Sequence, residues 1–304
     1  MSRRVMSGKP ITADRAATQR SFRDASTLLP GESNLEVRTC LPSRGNGNRA
    51  NGNRGGEKPP LLFVHGGYCD AWCWEPYFLP WFAARGYAAH ALSLRGHGSS
   101  AGRDTIFVAG LDDFAADVLS VAAGLPSPPV LIGHSMGAAV IERLLVSHPL
   151  RAAALIAPVP PAGILTMAAR LAAEQPDSLM RLLQFDPGRL TAHVLEVLRP
   201  YYFSADVAPQ ILFEATKRLC VESPRALLDL SLRLHWQLPQ QNDTPLFVLG
   251  AEGDRVSTPP DVEATARHHG VEATIVPGLA HMLMLEGRWE TAAREVARWL
   301  ATLK

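Results

Sequence analysis

Residues 131–139 read LIGHSMGAA, with the apolar end of PPVLIGHS (128–135) before the serine and the helically spaced MGAAVIERLLVSHP (136–149) after it. Gly133-x-Ser135-x-Gly137 therefore stands at a strand-to-helix junction. Small residues on both sides of Ser135 allow a sharp, strained turn that lifts the hydroxyl above a sheet edge. A helix starting at Met136 also brings free N–H groups and the positive end of its dipole beside the serine. The spacing alone is common, so the nucleophile reading depends on a base, an acid and an oxyanion site elsewhere in the chain.

Working outward, the same rhythm repeats. LEVRTCLP (35–42), PPLLFVHGG (59–67), YAAHALSL (87–94), RAAALIAPVP (151–160), TPLFVLG (244–250) and VEATIVPG (271–278) read as strands. Between them EPYFLPWFAARG (75–86), GLDDFAADVLSVAAGL (110–125) and PPDVEATARHHG (259–270) read as helices, and RWETAAREVARWLATL (288–303) closes the chain as an amphipathic helix. Alternation of this kind predicts an α/β fold, a mostly parallel sheet with helices on both faces. Strand signals vanish from 161 to 239, where five helical stretches follow one another. The expected organisation is an N-terminal tail or arm (1–34), a core built from 35–160 and 240–304, and an all-helical cap (161–239). The Asn/Gly/Arg-rich segment 43–58 reads as a flexible loop.

Composition narrows the partners. With 47% hydrophobic and 19% charged residues, and 30 basic residues against 29 acidic ones, the chain has a formal charge of +1. Nothing in that balance points to nucleic acid or an anionic surface. No apolar run is long enough to cross a bilayer and the start lacks the apolar stretch of a secretory signal, so a cytoplasmic location is expected. Cys40, Cys69, Cys73 and Cys220 fit neither a disulfide framework nor zinc-ligand spacing. No metal and no cofactor is expected, and the oligomeric state is left open.

Among ten histidines, His281 stands out as the base. It follows the strand ending at Gly278 on a short loop, where an active-site base belongs. His65 and His134 sit inside glycine turns and read as loop packing, His97 as structural, and His268 and His269 as solvated at a helix end. Asp254, in the turn after TPLFVLG, is the acid that would fix the tautomer of His281, ahead of Glu252. The order is Ser135, Asp254, His281. Gly67, in VHGGYCDAW (64–72), and Met136 would offer backbone N–H groups to an oxyanion. Tyr68, Trp72 and Trp74 are the expected pocket lining opposite the cap.

With FVHGG, LRGHGSS, GHSMGA, GAEGDRV and GLAHMLMLE in this order, the chain from about residue 35 onward resembles the α/β-hydrolase superfamily. HGGYCDAWCW and LAHMLML are similar to the plant methylesterase and hydroxynitrile-lyase group. The resemblance implies a Ser135–His281–Asp254 triad, an oxyanion hole at Gly67 and Met136, and a cap over the pocket. There are two departures, of which the first should matter little to catalysis. Ser93 stands where such chains often carry aspartate, and Met282 follows His281 where the lyases have lysine. The expected activity is hydrolysis of small apolar carboxylic esters through an acyl-enzyme. The alternatives are C–C bond, thioester or lactone hydrolysis, perhydrolysis, or a non-catalytic receptor for a small ligand.

Overall fold

The computed structural model describes residues 26–28, 34–43, 58–174, 176–183, 199–232 and 243–303. Its centre is an eight-stranded sheet in the order β1-β2-β4-β3-β5-β6-β7-β8. The strands are β1 (Ser26–Leu28), β2 (Glu36–Cys40), β3 (Leu61–Val64), β4 (Ala89–Leu92), β5 (Val130–His134), β6 (Ala153–Ile156), β7 (Leu246–Ala251) and β8 (Ala273–Val276). From β4 across to β8 every neighbouring pair is parallel, while β1 and β2 add an antiparallel edge.

Alternate residues of β3 show how the sheet divides the core. Leu61 and Phe63 pack on one face with α1 (Phe78–Ala83) and the final helix, α9 (Trp289–Leu300). Leu62 and Val64 pack on the other with α2 (Leu111–Ala123), α3 (Met136–Leu145) and α8 (Pro259–His268). Both faces are covered, which explains why β3, β4, β5 and β6 are buried along their whole length. The chain steps from β3 outward to β4, then returns to place β5 on the opposite side of β3. This reversal opens a crevice at the carboxyl ends of β3 and β5, the place where open α/β sheets bind ligands.

Between β6 and β7 the described residues form helices and no strand: α4 (Leu165–Glu174), α5 (Pro176–Leu183), α6 (Pro209–Lys217) and α7 (Pro224–Leu232). These helices lie between two neighbouring strands of the sheet, within 161–239. The helical readings over much of 191–203 and after Leu232, the loop 43–58 apart from its ends, and most of the arm 1–34 lie outside the described residues. Within the arm, Ser26–Leu28 pairs with β2 as the edge strand, Ser26 opposite Arg38. No helix among the described residues is long and apolar enough to cross a membrane.

Candidate active site

Ser135 lies between the end of β5 and the start of α3 with φ of 51°, a left-handed conformation in a residue that carries a Cβ. The turn holds because the chain comes very close to itself. A Cβ on Gly133 would meet the carbonyl oxygen of Gly137 at 2.4 Å, and one on Gly137 would meet the oxygens of Val64 and His65 at 2.5 and 2.6 Å. Ser135 N–H donates to the Ile156 carbonyl at 2.9 Å, tying the turn to β6.

Asp254 and His281 come from the loops after β7 and β8. Asp254 Oδ1 accepts the N–H groups of Val256 and Ser257 at 2.8 and 2.9 Å, and Oδ2 lies 2.8 Å from His281 Nδ1. Both side chains are buried. A carboxylate at Nδ1 places the proton there and leaves Nε2 as the basic nitrogen. Glu252, the other acid of this turn, is exposed and accepts Gly278 N–H at 3.2 Å.

His281 is held on two sides. From the core, His134 Nε2 lies 2.9 Å from the His281 carbonyl, so this nitrogen carries the proton and donates it. Burial, reinforced by His281 nearby, pushes His134 well below the ordinary histidine range, and the ring is neutral. From the insertion, Tyr202 places its ring edge against His281, with centroids 5.6 Å apart, and its carbonyl accepts Met282 N–H at 2.9 Å. Glu286, buried a few residues on, accepts Ser204 N–H at 2.8 Å and the Ser204 hydroxyl.

The glycine turn after β3 forms the opposite wall. Leu94 N–H donates to His65 Nε2 at 3.1 Å and His65 Nδ1 faces the Gly66 carbonyl at 2.8 Å, which together require a neutral ring with its proton on Nδ1. Burial, with His97 beside it, accordingly lowers His65 to about 3. Among the described residues neither Gly67 N–H nor Met136 N–H has a hydrogen-bond partner, and both residues line the cavity that reaches Ser135 and His281.

Glu222, for which the sequence offered no motif, underlies this wall. Its Oε2 accepts Tyr68 N–H at 2.9 Å and lies 3.2 Å from His97 Nε2, while Oε1 accepts Ser223 N–H at 2.8 Å. Cys220 N–H donates to the Tyr68 carbonyl at 2.8 Å. A short run before α7 thus grips both backbone groups of Tyr68, which has φ of 61° and directly follows Gly67. His97 Nδ1 faces the Arg95 carbonyl at 3.0 Å, so both ring nitrogens donate and the ring is an imidazolium. Burial alone would lower its pKa, but the hydrogen bond and charge of Glu222 outweigh that and raise it.

The cavity measures about 410 Å³ and runs from the Gly67 turn to the insertion. Tyr68 and Trp72 line it; Trp74 does not. Trp74 is fully buried in the core, its ring centroid 4.9 Å from that of Phe63, because Ala71–Trp74 is a tight 3-10 turn that sends positions 72 and 74 to different sides. His269 also departs from its solvated reading: its side chain is buried and Nε2 lies 3.0 Å from Glu142 Oε1. Ser93 finds its carboxylate on the neighbouring strand, donating to Glu36 Oε2 at 2.8 Å while accepting Ala71 N–H at 3.0 Å. Cys69 and Cys73 border the cavity, and burial pushes both thiols up, so they present neutral sulfur to it.

The sequence matches the Alpha/beta hydrolase family over residues 61–299. It is similar to the pyrethroid hydrolase of Sphingobium wenxiniae, 29% identical over 140 residues and 46% of each chain, so the match spans less than half of that relative. In structure it is similar to a thermophilic esterase from Thermogutta terrifontis, with 20% identity and a TM-score of 0.62 over 91% of this chain and 97% of the other. The enol-lactonase of Burkholderia xenovorans LB400 is comparably similar, with 17% identity and a TM-score of 0.62 over 88% of this chain and 97% of the other. At those identities the likeness to solved structures shows the fold.

Proposed function

The chain belongs to the α/β-hydrolase family, and from that premise we propose that it is a serine hydrolase cleaving carboxylic esters of small apolar molecules. The observation that carries this reading is the buried His281–Asp254 contact of 2.8 Å facing the same cavity as the strained Ser135 turn. The match to a pyrethroid hydrolase supports hydrolysis as the reaction class. The resemblance of HGGYCDAWCW to the plant methylesterase group supports an ester as the bond cleaved, and Met282 beside His281 speaks against lyase chemistry.

In this mechanism His281 Nε2 takes the proton of Ser135 Oγ as that oxygen attacks the ester carbonyl carbon. The carbonyl oxygen gains the negative charge and is met by the N–H groups of Gly67 and Met136. Collapse breaks the bond to the alcohol oxygen, which leaves with the proton from His281. Water then gives a proton to His281 and attacks the acyl carbon, and Ser135 departs with that proton, leaving acid and alcohol. Asp254 stays ionised and holds the imidazolium of each step in place.

A fluorophosphonate probe and p-nitrophenyl esters of rising chain length test this. Wild type is expected to be labelled at Ser135 and to turn over the esters, and Ser135→Ala to lose both, with the rate falling by several orders of magnitude. Labelling or hydrolysis that survives in Ser135→Ala overturns the assignment. An unlabelled wild type overturns it in favour of a ligand-binding receptor.

A further inference from the structure

Arg218 stands at the C-terminal end of α6 and lines the cavity together with Ser135 and His281. Its Cζ lies 5.1 Å from the centroid of the Trp72 ring, another lining residue, so the guanidinium rests over an aromatic face. Arg218 Nε is buried and has no hydrogen-bond partner, and among the described residues the guanidinium enters no ion pair. Arg38 Nε is likewise buried without a partner, but its two Nη atoms hold Glu36 and Glu75, a pairing for which Arg218 has no counterpart among the described residues. Arg38, Arg95, Arg143 and Arg170 each hold a carboxylate, and Arg199, also on the cavity, donates to the Ala205 carbonyl at 2.9 Å.

Of the two buried acids near this wall, Asp70 feels the charge of Arg218 but forms no ion pair with it, and Glu222 is committed elsewhere. Asp70 accepts Trp72 N–H at 2.8 Å, and Glu222 is occupied by Tyr68 N–H, Ser223 N–H and His97. A guanidinium keeps its charge at every physiological pH, and a buried donor on it without an acceptor is costly. Much of the remaining wall is apolar: Val159, Ile164, Leu212, Leu227 and Leu285 among others. The missing element is an acceptor brought by the ligand, and a guanidinium edge pairs best with a planar two-oxygen anion.

We propose that Arg218 is an anion-binding subsite of the cavity, and that the substrates are amphiphilic esters bearing a carboxylate besides their apolar body. The ester half of this statement rests on the function proposed above; the carboxylate half does not. Trp72 backs the guanidinium, the apolar wall takes the hydrocarbon, and the carboxylate–Arg218 contact sets how the ester lies against Ser135.

Two matched pairs of esters test the subsite. Mono-p-nitrophenyl glutarate against its methyl ester places the charge on the acyl side, and p-butanoyloxybenzoate against its methyl ester places it on the alcohol side. For one pair the anionic-to-neutral ratio of kcat/KM is expected to fall at least about tenfold in Arg218→Met, chiefly through KM, and to recover in part in Arg218→Lys. A ratio within about twofold of wild type for both pairs in Arg218→Met overturns the proposal. Should wild type hydrolyse none of these esters, the hydrolase reading fails and calorimetry examines the subsite alone. Wild type binding phenylbutyrate more tightly than phenylbutanamide, with that preference lost in Arg218→Met, upholds it. Equal binding of the two, or binding of neither, overturns it. Arg218→Gln takes the place of Arg218→Met if the latter fails to fold.

Discussion

Glu222 Oε2 serves two donors at once, Tyr68 N–H and the imidazolium of His97, and no exposed surface dilutes either contact. Glu222→Gln leaves an oxygen for Tyr68 but removes the charge that keeps His97 protonated, so burial then drives His97 neutral. The turn carrying Gly67 loses one anchor. In ester hydrolysis kcat is expected to fall about tenfold with KM nearly unchanged, since hydrogen bonds to charged groups stabilise by about 1.5–3 kcal/mol and part of that holds Gly67, the proposed oxyanion donor, in place. A role in folding alone would lower the melting temperature and leave kcat per folded molecule intact. The pH dependence has a definite sign. His97 has a raised folded pKa, so its pairing stabilises fully below the unfolded value and is lost as pH rises through the folded one. The melting difference between wild type and Glu222→Gln should therefore narrow on going to alkaline pH. Sequence showed little of this. The gathering of Ser135, Asp254 and His281 at one end of the sheet was legible because each follows a strand of a parallel sheet, where position along the chain implies position in space. Glu222 lies 154 residues from Tyr68, and its partner is a backbone N–H that leaves no mark on composition.

The turn between β5 and α3 has glycine at 133 and 137 for a reason the sequence shows only as spacing. At Gly137 the obstruction is the backbone of β3 itself, through the Val64 and His65 oxygens at 2.5 and 2.6 Å, and neither can rotate away. Gly137→Ala is therefore expected to force α3 off the sheet at a cost of about 3 kcal/mol or more, the upper end for an overpacked core. Gly270, after α8, has positive φ of 68°, but a Cβ there would meet nothing within 4 Å, so Gly270→Ala costs only the left-handed strain of about 1–2 kcal/mol. Thermal unfolding of the two variants separates them; equal losses would mean that crowding at β3 is not what constrains position 137. Strands and helices were legible wherever apolar spacing ran for a full element. Ser26–Leu28 was not, because a three-residue edge strand owes its state to pairing with β2 rather than to its own pattern. Trp74 was misplaced for a related reason: no periodicity distinguishes a 3-10 turn of four residues, and which of its side chains reach the cavity follows from the turn and not from residue type.

At the scale of the molecule, the two turns that frame the cavity are each built around a neutral histidine, and this ties the fold to pH. His65 accepts Leu94 N–H and His134 is pressed against His281, and burial is the leading cause that lowers both, His65 to about 3 from an ordinary value of 6.5. His90, also buried, is lowered for the same reason. The unfolded chain takes up protons at these rings below about pH 6.5 while the folded chain refuses them, so stability falls as pH drops through that value and keeps falling until the folded pKa is reached. His97 works in the opposite direction, since its folded pKa is raised, but it is one group against three. For His65 alone the interval from 6.5 to about 3 corresponds to an upper bound of about 5 kcal/mol. The melting temperature is therefore expected to hold near neutrality, fall steeply between about pH 6 and 4, and take hydrolytic activity with it, because the unfolded chain that takes up these protons has lost the turns carrying Gly67 and Ser135. Scanning calorimetry across that range, with ester hydrolysis followed in parallel, checks it. A melting temperature that stays level or rises from pH 7 to 5 would show that these rings already carry protons in the folded chain, and that the neutral frame behind Gly67 and Ser135 is wrongly drawn.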